Sequence, residues 1–476
     1  MSIRELPSRV STLAHTPVPE APAGVPAAQY SPDKEDFGLP SQRSIWEREF
    51  LVTRRSQTMG VSRRENQGAR RTNIGHPPVR LVDRIDPFWE ITWDDMIGGA
   101  DWRRASTTKH RLTTDVRGNV AVKSFEAFSP IAMSQQESYG ENMMRMMALL
   151  FQYGALTSSQ LCSFMDSSFR GLSFPLNRMF GLGLVERMTP AWVKVGASSR
   201  MYHGSGDIWR VNLRSETVTT WLDGLSNTDY ALMTGGRDTG YMLHNGTFVS
   251  EYALRHNLAV AELCLRGLET IPGLAGAWGE PFAEGNKFLS EMLRGSLGVR
   301  YVRGDAALVG KDGSIVIVEL TAGQDSRDDK HGATLAARAA AWAAIAKMSD
   351  VPMSLVVVSV GGYAASRRIA KHLRENTEEE LAQYFADVGD RKRALDTVHM
   401  SSIQSWWPSA GAISRKFLTL EAFSPFTGEY RELLPADAEW DTGQPAVVNT
   451  VAALHTPPWS LRPVMPIVNN EGGSAA

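Results

Sequence analysis

At 476 residues the chain is too long for one ordinary domain, and this length favours two or three domains. Its 50 Lys and Arg residues nearly balance 52 Asp and Glu residues, and the net charge of -2 excludes a protein that binds polyanions over its whole surface, so any nucleic-acid contact must be local. Two cysteines are too few for a disulfide framework, and neither a signal core nor an apolar membrane span is visible, so we expect a cytoplasmic protein without membrane contact.

The N-terminal region is rich in arginine. Guanidinium groups bind oxyanions with paired hydrogen bonds, so this region suits phosphate groups or an acidic protein partner, and a solvated linker is equally consistent. We predict a flexible region over residues 1–85 and an aromatic-rich packing segment over residues 86–135, which contains Phe88, Trp89, Trp93 and Trp102. The arginines are Arg43, Arg48, Arg54, Arg55, Arg63, Arg64, Arg70, Arg71, Arg80 and Arg84.

Residues 136–225 have the element order of a winged helix. Residues 142–153 form an amphipathic helical pattern that is rich in Met and Leu. Thr157 and Gln160 have the spacing of a capping box, in which each side chain satisfies an exposed amide of the other, so a second helix is predicted to run to about residue 165.

The third helix and the wing complete this pattern. The third helix is predicted to begin at Ser173, because Pro175 is tolerated in a first turn. Two strands follow over residues 192–213. In such a domain the third helix enters the major groove and the wing follows the backbone, which predicts binding of double-stranded DNA; a protein-protein adaptor is the alternative. The candidate DNA-binding residues are Arg170, Asn177, Arg178, Lys194, Arg200 and Arg210.

Residues 301–320 read as two strands around a tight turn. A three-residue loop over residues 311–313, with glycine last, pairs Gly310 with Ser314 and brings Asp305 opposite Glu319 on the same face. A two-residue turn would shift the register by one and send the two carboxylates to opposite faces.

Converging carboxylates are suitable ligands for Mg²⁺, which prefers oxygen and neutralises their repulsion. Solvated acids on a surface strand are the other interpretation, but Glu319 closes an apolar run that reads as buried. We therefore predict Asp305 and Glu319 as metal ligands and as catalytic residues, with Mg²⁺ as the cofactor if the site is active.

This hairpin resembles the core of the PD-(D/E)xK nuclease-like fold, in which an Asp precedes Glu-x-Lys on a hairpin. Thr321 stands where that pattern has lysine, so the resemblance implies that Lys330 or Gln324 would have to assist an attacking water. A helix over residues 256–269 precedes the hairpin, and Glu262 or Glu269 would supply an outer acid. A helix over residues 333–347 and a strand over residues 353–360 follow it.

The two units together resemble the replication-relaxation family of plasmid and mobile-element proteins. The resemblance rests on four segments: LTSSQL, GLGLVER, HNLAVAEL, and RGDAAL with VIVEL. It implies a cytoplasmic DNA-binding accessory protein of plasmid replication, relaxation or transfer, whose partners would include a relaxase, a replication protein or another mobile-element protein. An active Mg²⁺-dependent endonuclease or nickase is a second hypothesis, and a mobile-element or phage adaptor that does not bind DNA is a third.

The predicted fold is therefore α+β and multi-domain. A winged helix-turn-helix over residues 136–225 is followed by a PD-(D/E)xK nuclease-like α/β domain over residues 245–400, with flexible termini. Residues 401–476 form a C-terminal extension and tail, in which Trp406 and Trp407 are predicted to lie in a core.

Overall fold

The computed structural model describes the helices and strands of two packed units. The described residues are 84, 87–88, 137–165, 167, 169–188, 207–224, 230, 234, 251–285, 288–289, 302–321, 329–349, 351–408, 413–438 and 467–468. Their content is mixed: helices pack against a seven-stranded sheet and against a smaller three-stranded sheet. The expected α+β class is confirmed at this level.

Among the described residues, the first unit contains four helices and three short strands. Helix α1 (Glu137–Tyr153) leads into β1 (Leu156–Thr157), α2 (Ser158–Phe164), α3 (Phe169–Gly181), β2 (Val185–Met188) and β3 (Ile208–Val211), and α4 (Glu216–Asp223) follows. The strand order is β1-β3-β2, and both pairings are antiparallel.

The predicted start of α2 is confirmed, whereas that of α3 is wrong. The Gln160 backbone N–H donates to Thr157 Oγ1 at 3.1 Å, and the Thr157 N–H donates to Gln160 Oε1 at 3.1 Å, which completes the capping box. Helix α3 begins at Phe169 and not at Ser173, so Pro175 lies inside the helix and not in its first turn.

The second unit begins with α5 (Glu251–Thr270) and three antiparallel strands. These are β4 (Leu274–Gly279), which leads into a 3₁₀ turn (Glu280–Phe282), β5 (Ala306–Gly310) and β6 (Ile315–Thr321). The predicted register of the hairpin is confirmed: Ala306 pairs with Val318, and the Gly310 N–H donates to Ser314 O at 2.7 Å. Gly313 has φ +87°, the left-handed conformation that the three-residue loop requires.

The sheet continues with parallel strands. Helix α6 (Asp329–Met348) leads to β7 (Met353–Ser359), which is parallel to β6; α7 (Gly362–Leu381) and α8 (Val388–Leu395) lead to β8 (Val398–Ser402), which is parallel to β7. Helices α7 and α8 are separate: Asp387 caps the start of α8, and its side chain accepts from the Asp390 N–H.

Short elements follow the parallel strands. They are α9 (Ile403–Trp406), β9 (Ile413–Ser414), α10 (Arg415–Leu418), β10 (Glu421–Phe423), β11 (Tyr430–Glu432) and β12 (Ile467–Val468). The order in the large sheet is β11-β10-β8-β7-β6-β5-β4. Trp406 and Trp407 are fully buried, as predicted, and Phe88 stacks on Trp407 with ring centroids 5.0 Å apart, so Phe88 packs as expected of the aromatic segment.

One apolar core joins the first unit to one face of the large sheet. It includes Met147 and Leu150 of α1, Leu263 of α5, and Val316 and Val318 of β6. The opposite face of the sheet packs against α6 and α7 in a second core.

Polar contacts follow the same boundary between the units. The Gln160 side chain donates through Nε2 to Leu258 O of α5 at 2.9 Å.

Within the described ranges, none of the helices is long and apolar enough to cross a membrane.

Candidate functional site

The ends of β5 and β6 place two carboxylates at one edge of the large sheet. The ladder between these strands ends at the pair of Ala306 and Val318, and the Asp305 N–H donates to Val318 O at 2.9 Å. Asp305 therefore lies just before β5, and Glu319 lies inside β6, one residue beyond Val318. The confirmed register therefore places Asp305 and Glu319 at neighbouring positions of the strand pair.

The Asp305 carboxylate contacts α5, the helix on the face of the sheet that packs against the first unit. Its Oδ2 accepts from the Leu320 backbone N–H at 2.6 Å and lies 3.1 Å from His256 Nε2. The same His256 nitrogen lies 3.3 Å from Leu320 O. Both oxygens accept hydrogen bonds, so these distances place a proton on Nε2, which donates to them.

The protonation of His256 is governed by this carboxylate. Burial by itself would lower the pKa of His256, but the charge and hydrogen bond of Asp305, together with the charge of Glu319, outweigh it and raise the pKa from 6.5 to about 10. The imidazole ring is therefore positively charged at neutral pH, and about a third of its side chain is exposed.

Glu319 takes its positive partner from the other face of the sheet. Its Oε1 forms an ion pair with Arg338 Nη1 of α6, and the Glu319 side chain is 5% exposed. Helix α6 packs on the face opposite to α5. The two carboxylates are thus neighbours along the strand pair, yet each is neutralised by a cation from a different helix.

This arrangement fits a divalent metal poorly. A metal ion bound by Asp305 and Glu319 would have to compete with the positive charges of His256 and Arg338, which already neutralise both acids. Across the described residues, no group of three or more His, Cys, Asp or Glu side chains is placed to hold a metal ion. The predicted catalytic partner Lys330 lies in the first turn of α6, and its side chain is outside the described part of the chain.

Glu262 and Glu269, the two candidates for the outer acid, have another role. Glu262 and Glu269 lie on α5 and are buried against Arg84, whose Nη1 and Nη2 lie 2.7 and 2.8 Å from the two oxygens of Glu269. Arg84 also donates to Glu262 and to Ser163 Oγ of α2. Arg266 donates to Glu262 Oε1 at 3.1 Å, so two acids and two arginines form a buried, neutral cluster.

Arg84 has a structural role in this cluster, unlike the role expected for the arginines of the N-terminal region. The sequence predicts Arg84 as one of the arginines suited to phosphate contacts, and this prediction is wrong: Arg84 is 4% exposed and binds carboxylates of its own chain. The remaining arginines of that group lie outside the described residues.

The structure describes the side chains of three candidate DNA-binding residues, Asn177, Arg178 and Arg210. On α3, Asn177 is exposed and Arg178 is half-buried, whereas Leu172, Leu176 and Met179 point into the core. These three residues form the apolar side of α3.

Arg210 lies on β3, where its Nε donates to Glu186 Oε2 of the paired strand at 2.6 Å. The negative charge of Glu186 compensates the positive charge of Arg210, so the contribution of Arg210 to a DNA-binding surface is smaller than expected. The helical position of Arg170 is described but its side chain is not, and Lys194 and Arg200 lie outside the described residues.

Two residues of the site were missed by the sequence-based prediction. Arg338 is the single charged residue between Lys330 and Lys347 in an alanine-rich helix, and an isolated charge of this kind signals a specific partner. His256 opens the HNLAVAEL segment, in which it is the polar residue at the end of an otherwise apolar helical face. Neither signal names the partner, because both contacts join residues that are far apart in the chain.

Comparison with known proteins adds no relative. No protein-family model matches the chain, and no curated protein and no solved structure matches it.

Proposed function

We propose that this chain is a DNA-binding accessory protein of plasmid or mobile-element replication, relaxation or transfer. In this proposal the first unit is a winged helix that contacts duplex DNA, and the second unit is a nuclease-like domain that has become a structural platform. The observation that carries the proposal is the arrangement of the first unit: helix, strand, two helices and an antiparallel strand pair, with strand order β1-β3-β2.

The surface of α3 supports this assignment. Its apolar side is committed to the core, and the side that carries Asn177 is exposed. A helix that is anchored in this way presents polar side chains to a groove at a fixed angle, which duplex recognition requires. Helix α2 is buried along its length, so it acts as a support for α3.

The second unit supports the platform interpretation. Its order of helix, antiparallel strands, helix and parallel strand contains the helix, hairpin, helix and strand that the sequence predicts, and this supports a nuclease-like core. The acids that would act in such a core are neutralised by His256 and Arg338. These ion pairs favour a platform over the Mg²⁺-dependent endonuclease that is the competing function.

The test is a titration of the full chain with linear duplex and supercoiled DNA, read by fluorescence anisotropy and by gel. Binding should weaken with salt between about 50 and about 200 mM, and Asn177→Ala with Arg178→Ala should reduce it at every salt concentration. Lys392→Ala, which removes an exposed charge on α8, is the matched control and should leave binding unchanged.

The same samples test the competing functions. Nicking that requires Mg²⁺ and is lost in Glu319→Gln would replace the platform proposal with an endonuclease. Absence of any duplex binding would overturn the proposal in favour of an adaptor.

A further inference from the structure

Helix α7 carries a basic, aromatic surface that the proposed duplex contact does not use. Residues 362–374, its first half, contain four basic residues and no acid, whereas the four acids Glu375, Glu378, Glu379 and Glu380 lie in its last turns. Tyr363 at its start is 77% exposed. An exposed aromatic ring within a basic stripe is a feature to be explained, because large apolar groups otherwise gain by burial.

The charges on this helix are arranged against its own dipole. Acids stabilise a helix near its N-terminus and bases near its C-terminus, and α7 has no acid in its first turn and no base in its last turn. Lys371 precedes Glu375 by four residues, which is the less favourable order for such a pair, and their charged atoms are 3.8 Å apart and exposed. The pattern therefore does not serve the stability of the helix.

The basic residues lie together on the exposed side. Tyr363, Arg367 and Lys371 follow one another at intervals of four residues, so they form one row along the helix, and Arg368 is exposed beside that row. The Arg367 guanidinium lies 5.7 Å from the centre of the Tyr363 ring. This contact holds a flat ring and a positive charge side by side on the surface.

The start of this row has free space beside it among the described residues. Gly362 has φ +78°, and apart from its chain neighbours no described atom lies within 4 Å of the position that a Cβ there would take. Helix α7 begins just after β7, whose last residue Ser359 pairs with Thr321 of β6. The start of α7 is thus at the same edge of the sheet as Glu319, whose negative charge is neutralised by Arg338 and does not repel a polyanion.

We propose that the first half of α7 binds single-stranded DNA, with a base stacked on Tyr363 and phosphate groups held by Arg367, Arg368 and Lys371. Charge complementarity selects a polyanion, and the exposed ring selects unpaired bases, because a base inside a duplex does not present its face for stacking. This contact is separate from the duplex contact proposed for α3 and does not depend on it.

The experiment measures binding of the full chain to a fluorescent oligothymidylate by anisotropy. We expect Tyr363→Ala to weaken binding at least about fivefold, which is the lower end of what base stacking contributes. The control is Tyr430→Ala: Tyr430 is 64% exposed and has Lys416 Nζ 4.8 Å from its ring centre, but Glu429 and Glu432 flank it, so its loss should have no effect.

Salt dependence gives a second readout. Three phosphate contacts on a single strand predict a slope of log K against log salt of about -2, and the double variant Arg367→Ala, Arg368→Ala should reduce its magnitude by about 1.4. Both variants change exposed side chains, and an unchanged melting temperature would show that they fold.

Three results would overturn this inference. Unchanged binding in both variants would place the strand elsewhere, and duplex binding that weakens in the arginine variant but not in Tyr363→Ala would make α7 a backbone contact for duplex DNA. No binding to the oligonucleotide would point to an acidic protein instead. Loss of duplex binding in the α3 variants, with oligothymidylate binding intact, would separate the two contacts.

Discussion

Arg84 and Glu269 form a two-point ion pair that is buried between α2 and α5. Removing Arg84 leaves Glu262 and Glu269 without this partner in an apolar setting, since both acids are below 4% exposed. We expect Arg84→Met to lower the free energy of unfolding by about 3–5 kcal/mol. Urea denaturation measures the change.

Two further variants show whether charge is the reason. Arg84→Met combined with Glu269→Leu should recover part of the stability, because the uncompensated charge is removed with its partner. Arg368→Ala, an exposed arginine on α7, should change the unfolding free energy by less than about 0.5 kcal/mol. Equal losses in Arg84→Met and Arg368→Ala would contradict the role assigned to the ion pair.

His399 predicts a loss of stability in mild acid. It is 2% exposed on β8, and neither ring nitrogen has a hydrogen-bond partner among the described residues. Burial, and then the charge of Arg431, lower its pKa from 6.5 to about 4. The unfolded chain therefore takes up this proton first, and the contribution of His399 is complete above pH 6.5 and is lost as the pH falls to about 4.

The size of this effect follows from the shift in pKa. It corresponds to at most about 3 kcal/mol between pH 6.5 and 4. Because carboxylates also titrate below pH 5, the measurement is the difference between the wild-type chain and His399→Leu in urea at pH 7, 6, 5 and 4.5. The wild-type chain should lose more stability than the variant, and parallel curves would assign the acid sensitivity to other groups.

His256 predicts the opposite dependence at high pH. Its pKa is raised from 6.5 to about 10 by Asp305, despite burial, so the folded chain holds this proton more tightly than the unfolded chain. The stabilisation is complete below pH 6.5 and is lost as the pH rises to about 10. Melting temperatures of the wild-type chain should therefore fall between pH 7 and 9.5 more steeply than those of Asp305→Asn.

The partner variant provides the control for this pair. His256→Gln should show the same flatter profile as Asp305→Asn, because either change removes the pair. A steep profile that persists in both variants would show that another group carries the dependence.

Gly279 predicts a steric effect where the two units meet. A Cβ at this position would lie 2.2 Å from the Gln152 backbone oxygen of α1, and a backbone atom cannot rotate away. We expect Gly279→Ala to destabilise the chain by about 1–3 kcal/mol or more. Gly267→Ala in α5 meets only side-chain atoms, the nearest at 3.3 Å, and gains helix propensity, so a calorimetric melt should show little loss. Similar losses in both variants would contradict this reason.

Local signals in the sequence predicted the local structure well. The capping box of Thr157 and Gln160 and the loop before Ser314 each depend on residues that are a few positions apart, and both are confirmed. The start of α3 was wrong because Pro175 is an ambiguous signal: it is most favourable in a first turn, and here the packing of Leu172 keeps an earlier turn helical.

Contacts between distant residues explain what the sequence did not reveal. The predicted register of the hairpin is confirmed, but the cations that pair with Asp305 and Glu319 come from α5 and α6, on opposite faces of the sheet. For Arg84 the sequence suggests exposure where the structure shows burial, because an arginine among many others in a polar segment is expected to be a surface charge. Burial and long-range pairing are properties of the packed chain, and spacing along the sequence does not encode them directly.

The apolar core that passes from α1 through α5 to β6 has a consequence for handling the chain. After a single backbone cut between Gly224 and Glu251, separation of the two fragments would expose to water the part of that core that each contributes. The fragments should therefore stay associated and migrate together in gel filtration under native conditions, and separate only in denaturant. A cleaved sample would then be distinguished from an intact one only by denaturing electrophoresis.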